Sequence, residues 1–175
     1  PTPLFDVATD YTWTVINNPN VTGAFDEAVA QATLNQTLVN TAYIPQDVIY
    51  TLTANCGSNP TVQVTVTIDP VPSVISQADT ICSGSSFAFP PFIGGNPLPP
   101  SVTFSWTAPN NANFVGQTDG NNQTIFSQYL TNLTSVDQII NYTVTPQTGT
   151  CIGNTFNASI TVNPAPSITN KTDTI

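Results

Sequence analysis

Of the side chains that could do chemistry, this sequence offers ten carboxylates, three cysteines and a single amine, Lys171, and it has no histidine. Ser–His–Asp or Cys–His catalysis and histidine-ligated metal sites need an imidazole, so none can be assembled within these 175 residues. A self-made lysine–asparagine crosslink needs a lysine, and residues 70–164 contain none. A carboxylate pair could hydrolyse a glycoside, but Asp119 and Asp137 fall in expected loops and no pattern brings them together. Asp119-Gly120-Asn121-Asn122 has the spacing of a calcium loop without the bidentate acid downstream, so an ordinary Asp-Gly turn is expected there. No catalytic residue, metal or cofactor is expected. What remains is the chemistry of the thiols Cys56, Cys82 and Cys151.

The elements that position those thiols are strands. In residues 139–166, Ile140, Tyr142 and Val144 alternate with Asn141, Thr143 and Thr145. Phe156, Ala158, Ile160 and Val162 alternate in the same way after a turn carrying Cys151. A period of two over this length marks a hairpin with one buried face. The same hairpin occurs at residues 48–72, with Cys56 in its turn, and both copies end in Pro-x-Pro-Ser. Upstream, Tyr11-Thr12-Trp13-Thr14 matches Phe104-Ser105-Trp106-Thr107, Gly23 matches Gly116, and Asp26 matches Asp119. Gln36-x-Leu38-x-Asn40 matches Gln128-x-Leu130-x-Asn132, and Ala78-Asp79-Thr80-Ile81 matches Thr172-Asp173-Thr174-Ile175. Pro72 and Pro166 stand 94 residues apart. That period is the size of a domain, so the chain reads as tandem sandwiches rather than a thin solenoid.

The second copy is expected to have about seven short strands, at 71–81, 85–89, 102–107, near Phe114, 123–130, 139–145 and 155–163, which is the pattern of an immunoglobulin-like sandwich. Trp106 occupies the place of the buried tryptophan on the third strand, and Tyr142 is a candidate tyrosine corner. Trp13, Trp106, Tyr50 and Tyr142 are the expected core aromatics. The fold class is therefore all-β, in tandem immunoglobulin-like β-sandwiches. Residues 1–69 read as a truncated repeat whose first strands are missing, 70–164 as a complete one and 165–175 as the start of a third. Comparing the copies also sets a register. Leu34, Gln36 and Leu38 share a face, so Phe126, Gln128 and Leu130 should point inward, and the two buried amides need hydrogen-bond partners.

The repeat assigns two cysteines to each full unit. Cys82–Cys151 is the expected staple, with Cys56 paired to a residue upstream, as in an oxidising extracellular setting. Cys56–Cys82 is disfavoured because the strand 62–68 alone separates them by roughly 20 Å. A bridge requires Cα atoms within about 7 Å, a condition Cys82 would fail if it sat at the first strand-to-strand turn.

Composition narrows the partners. With a formal charge of −9, nothing in the chain could neutralise phosphates, so nucleic acid is excluded, and attraction to anionic membranes is weak. No apolar run is long enough to insert in a membrane, and no signal peptide is recognisable. The chain opens mid-pattern and is expected to belong to something longer. Phe89-Pro90-Pro91-Phe92-Ile93 with Pro97-Leu98-Pro99-Pro100 forms a stiff apolar loop expected to pack at a joint between repeats rather than bind a ligand. Phe114 and Tyr129 are the only other aromatics suited to a glycan-binding platform, the alternative function. Asn-x-Ser/Thr sequons occur at Asn20, Asn35, Asn122, Asn132, Asn141, Asn157 and Asn170, as an Asn/Thr-rich chain produces by chance.

Asp-Thr-Ile-Cys-Ser-Gly, Phe-Ser-Trp-Thr, Tyr-Thr-Val-Thr-Pro followed by a cysteine, and Val-Asn-Pro-x-Pro, in that order, resemble the PKD-like repeats of giant Bacteroidetes surface adhesins, most closely those of gliding motility. The resemblance spans essentially the whole chain. It implies a non-catalytic stalk in a filament that is exported by type IX secretion, attached at the outer membrane and used in gliding and surface attachment. The implied partners are neighbouring repeats of the same chain, with surface polysaccharide or the gliding and secretion machinery engaged through other regions. Asp79-Thr80-Ile81 and Asp173-Thr174-Ile175 are similar to the O-glycosylation pattern of these bacteria, making Thr80 and Thr174 candidate sites. Strand lengths imply a semi-rigid rod with about 40 Å per repeat on short Pro-x-Pro linkers.

Overall fold

The computed structural model describes residues 10–55, 59–89 and 97–166, and every regular element among them is a β-strand. The chain divides after Val71 into two units. Both are antiparallel hairpins and bridges built on Thr/Val/Ile alternation, as β-branched residues favour; the second also contains one parallel pairing.

The second unit holds β7 (Gln77–Cys82), β8 (Ser85–Phe89), β9 (Thr103–Trp106), β10 (Phe114–Val115), β11 (Gly120–Gln123), β12 (Phe126–Asn132), β13 (Gln138–Thr148), β14 (Cys151–Ile152) and β15 (Phe156–Asn163). One sheet runs β11-β9-β13-β15-β7, with β14 pairing β13, and the other runs β10-β12-β8. Between them lies a continuous core that includes Phe87, Phe104, Trp106, Phe126, Leu130, Tyr142, Val144 and Ile160. Phe126 is its centre. The ring of Trp106 meets it edge-on at 4.7 Å, those of Phe87 and Tyr142 meet it at 5.3 Å, and Phe89 stacks on it at 5.9 Å. Edge-to-face pairs of this kind add about 0.5–1.5 kcal/mol each beyond area burial. This is an all-β, immunoglobulin-like sandwich.

The first unit holds β1 (Tyr11–Ile16), β2 (Val21–Thr22), β3 (Glu27–Gln31), β4 (Val39–Asn40), β5 (Gln46–Ala54) and β6 (Thr61–Ile68). Its main sheet runs β3-β1-β5-β6, and β2 pairs with β4. The hairpin β5–β6 repeats β13–β15, and β1 repeats β9. Trp13, Val48, Tyr50 and Leu52 are buried, while Leu34, Leu38, Val62, Val64, Val66 and Ile68 are only partly covered.

Two strand expectations change. The stretch 123–130 is not one strand. It breaks after Gln123, so that β11 joins β9 in one sheet while β12 crosses to pair with β8 in the other. The leading strand begins at Gln77 rather than Val71, and it runs parallel to β15. The register inferred from the copies is observed. Phe126, Gln128 and Leu130 are buried while Ser127 and Tyr129 are exposed.

Candidate functional site

Among the described residues no cluster of three metal-ligating side chains exists. A depression of about 740 Å³ lies on the outer face of β9, β11 and β13 and is lined by Ser105, Thr107, Asp119, Asn121, Asn141 and Thr143. Its polar groups are largely engaged with one another. Ser105 Oγ donates to Asn121 Oδ1 at 3.3 Å and accepts the Asn122 N–H at 3.0 Å. Asp119 Oδ1 accepts the Ala108 N–H at 2.7 Å. Asp119 is the one titratable side chain in this lining.

Asp119-Gly120 is not the turn expected. Gly120 is the first residue of β11, opposite Trp106, and a Cβ there would stand 2.3 Å from the indole ring. The glycine serves close packing rather than chain reversal. Asp119 clamps the exit of β9 through Ala108, and Asp26 does the same for β1 by accepting the Val15 N–H at 2.7 Å.

The expected Cys82–Cys151 bridge does not form, and both thiols are free. The cause is topological. Parallel pairing sets Cys82 beside Asn163 at the far end of β15, whereas Cys151 pairs with Thr148 beyond the start of β15. Along β13, the level of Cys82 lies near Gln138, so about ten residues, roughly 33 Å, separate the two ends. That is several times the span of a disulfide. Cys56 lies outside the described residues.

The groups that do converge form repeated polar clamps. Trp13 Nε1 donates to the Phe25 carbonyl at 3.1 Å, and Trp106 Nε1 to that of Thr118 at 2.8 Å. Gln36 Oε1 accepts from the Phe25 N–H and its Nε2 donates back to the Phe25 carbonyl, while Gln128 Oε1 accepts the N–H and hydroxyl of Thr118. Gly23 and Gly116 both have φ near +90°, and a Cβ at either would lie within about 2 Å of a backbone carbonyl oxygen, of Thr37 and Tyr129 respectively.

The most consequential clamp was not assigned a role from sequence. Asn132, 6% exposed, donates from Nδ2 to the carbonyls of Val136 and Val162 at 2.8 Å each, and its Oδ1 accepts the N–H and hydroxyl of Thr134. Asn40 repeats this with the carbonyls of Ile44 and Ile68 and the Ala42 N–H. Each asparagine ties the chain leaving one strand to the end of the last strand of its unit. The signal was the match of Asn40 to Asn132, read as a repeat position and, for Asn132, as a chance sequon.

These paired units have a common description: residues 1–72 and again 79–166 match the PKD-like domain. The chain belongs to the PKD-like domain family. No curated protein matches it. PKD-like domains are generally non-catalytic structural modules, in keeping with clamps that hold backbone rather than substrate.

Within the second PKD-like unit, Tyr142 is a core residue and not a tyrosine corner, because its buried hydroxyl meets no hydrogen-bond partner. Burial pushes its pKa up to about 12. Tyr50, its counterpart, donates to Gln36 Oε1 at 2.7 Å, and burial raises its pKa as well. Phe114 is 5% exposed and belongs to the core, which leaves Tyr129 without Phe114 as the second aromatic of the alternative glycan platform. Phe89 and Leu98 also sit in this unit's own core, while residues 90–96 of the proline-rich loop lie outside the described residues. Thr80 is exposed on β7; Thr174 and Lys171 lie outside the described residues.

Proposed function

We propose that this chain belongs to the stalk of a filamentous cell-surface adhesin, in which each complete PKD-like unit is a spacer that carries tension during gliding and surface attachment. The observation that supports it is the parallel pairing of the unit's first and last strands. Gln77 lies opposite Ala158 and Cys82 opposite Asn163. The chain thus enters at one end of the β7–β15 ladder and leaves at the other. Tension along the chain pulls these two strands past each other and loads their hydrogen bonds together, whereas an antiparallel hairpin pulled at its open ends parts one bond at a time. Pro164 and Pro166 follow β15 at once, and Pro70 and Pro72 precede β7, so little slack separates the ladder from its neighbours.

In this reading the partners are adjacent repeats of one long polypeptide, and other regions engage surface polysaccharide or the gliding and secretion machinery. The location is extracellular, attached at the outer membrane after type IX secretion. Force spectroscopy on residues 1–175 tests it. The second unit should open in one event that releases roughly 280 Å of contour for residues 77–163, at a force well above the opening of the first unit. Gradual release at low force would overturn the mechanical role, as would saturable binding of a glycan by the same polypeptide with no mechanical step.

A further inference from the structure

We propose that the hollow on the outer face of β9, β11 and β13 is a binding site for a neutral oligosaccharide, carried by the second unit and not by the first. Its volume of about 740 Å³ falls within the range of small-molecule sites, about 300–1,000 Å³. This goes beyond the stalk reading, in which other regions meet polysaccharide.

Three adjacent strands build the hollow. Thr145 lies opposite Ser105, and Gly120, next to Asn121, lies opposite Trp106. Along β13, Asn141, Thr143 and Thr145 alternate with the buried Tyr142 and Val144, so their side chains stand on the outer face. Among the described residues these three side chains form no hydrogen bond with another protein group. The β9–β11 side is held in place by its own bonds, since Asn121 Oδ1 accepts from Ser105 and Asp119 Oδ1 accepts the Ala108 N–H. Groups fixed before a ligand arrives lose little freedom when it binds.

The lining selects a chemical class. Amide and hydroxyl side chains offer donors and acceptors together, as the hydroxyls of a sugar do. Ala108 and Pro109 add apolar lining suited to the C–H face of a pyranose. Asp119 is the only charge in the lining, so an anionic ligand is disfavoured. A calcium ion takes 6–8 oxygen ligands, and one carboxylate already bonded to an N–H is a poor start. A neutral saccharide fits what is present.

The first unit supplies an internal control. Its strands β3, β1 and β5 repeat β11, β9 and β13, and they carry a hollow of about 310 Å³ lined in part by Thr12, Ala28 and Thr53. Thr12 and Thr53 repeat the hydroxyls of Ser105 and Thr145. The amides are not repeated. Glu27 faces Trp13 as Gly120 faces Trp106, which sets Ala28 at the place of Asn121. Ile49, next to Tyr50, stands at the place of Asn141, next to Tyr142. The sheet forms with apolar residues at both places, so neither amide is needed to build it.

Heteronuclear NMR of residues 1–175 titrated with maltotetraose, cellotetraose, chitotetraose and mannotetraose tests the proposal, with tetragalacturonate as the anionic control. At least one neutral tetrasaccharide should shift the amides of residues 105–109, 119–121 and 141–145 saturably, leaving residues 12–14, 28–30 and 51–53 unmoved. Tetragalacturonate should shift neither set. Asn141→Ile imports the first unit's residue at an exposed strand position, so thermal unfolding should be unchanged while binding weakens about tenfold. Adding Asn121→Ala should remove the remaining binding. The hollow lies off the β7–β15 ladder, so the force that opens the second unit should be the same in Asn141→Ile, and the stalk reading stands or falls separately. No saturable shift with any of the four neutral sugars would overturn the proposal. So would shifts spread equally over both units, or full affinity in Asn141→Ile.

Discussion

The two PKD-like units keep the same polar clamps while differing in how far their cores are filled. Trp13 and Trp106 each donate to a carbonyl twelve residues on, Asp26 and Asp119 each hold a strand exit, and Asn40 and Asn132 each tie down the last strand. Yet Leu34 and Leu38 are half-exposed where Phe126 and Leu130 are buried. Strand β12 is seven residues long and pairs with β8 over five of them, whereas the matching stretch of the first unit keeps only Val39–Asn40 as strand, paired with β2. The clamps need only strands that both units possess, even where, as from Asn132 to Val162 and from Asn40 to Ile68, they run from one sheet to another. In the first unit they therefore form without counterparts of β7 and β8 among the described residues. Burial is collective and needs the opposing sheet, because apolar area is removed from water only when another surface covers it.

The largest test of this contrast is truncation at the centre of each core. Phe126→Ala should destabilise the second unit by about 3–5 kcal/mol, since the ring is 1% exposed and meets four other aromatic rings. Leu34→Ala, at the matching position of the first unit, should cost about 1 kcal/mol or less, because a partly exposed side chain leaves little cavity. Denaturant unfolding followed by resolved signals from each unit would measure both. Equal losses would mean that the first core is closed in solution.

Much of this was legible in the sequence, for reasons that separate local from non-local physics. Alternation in residues 139–145 and 155–163 marked the hairpin, because a two-residue period is visible within one strand. The second copy resolved the face of Gln128, which one strand alone left open. Topology was less accessible. Whether the leading strand pairs parallel or antiparallel is decided by which neighbour it reaches, and the spacing between Cys82 and Cys151 carries no trace of it. That is why the disulfide failed: two cysteines in one repeat need not share an end of it. The break after Gln123 was hidden for a similar reason, since Gln123 and Phe126 belong to different sheets with no Gly or Pro between them.

The next effect in size concerns the asparagine clamps. Asn132→Ala removes two donated and two accepted hydrogen bonds at a buried position and takes the side-chain donor from the Val162 carbonyl, while that of Val136 keeps the Thr134 hydroxyl at 3.0 Å. A loss of about 2–3 kcal/mol is expected. Asn40→Ala should cost less, about 1 kcal/mol, because water can reach the carbonyls of a half-buried corner. Thermal unfolding of the two variants reads the difference. If the two losses match, the clamp energy does not depend on burial, and the separation between local bonding and collective covering is wrong.

The smallest effect at neutral pH is also the one whose sign differs between the units. Tyr50 donates its hydroxyl to Gln36, so Tyr50→Phe should cost about 1 kcal/mol. Tyr142 carries a buried hydroxyl with no partner, so Tyr142→Phe should be neutral or slightly stabilising. Alkaline pH then separates the two contributions. The pKa of Tyr142 is pushed from its ordinary value of 10.0 up to about 12 on folding, because burial disfavours the phenolate. Below pH 10 both states keep the proton, and stability does not depend on this group. Above pH 10 the unfolded chain releases it while the folded unit retains it, so stability falls as pH rises, by at most about 1.4 kcal/mol per pH unit up to pH 12. Replacing Tyr142 by Phe should flatten that part of the second unit's stability profile while leaving neutral pH nearly untouched. An unchanged alkaline slope in Tyr142→Phe would show that the hydroxyl reaches solvent or a partner in the folded unit. The contrast with Tyr50 would then be lost.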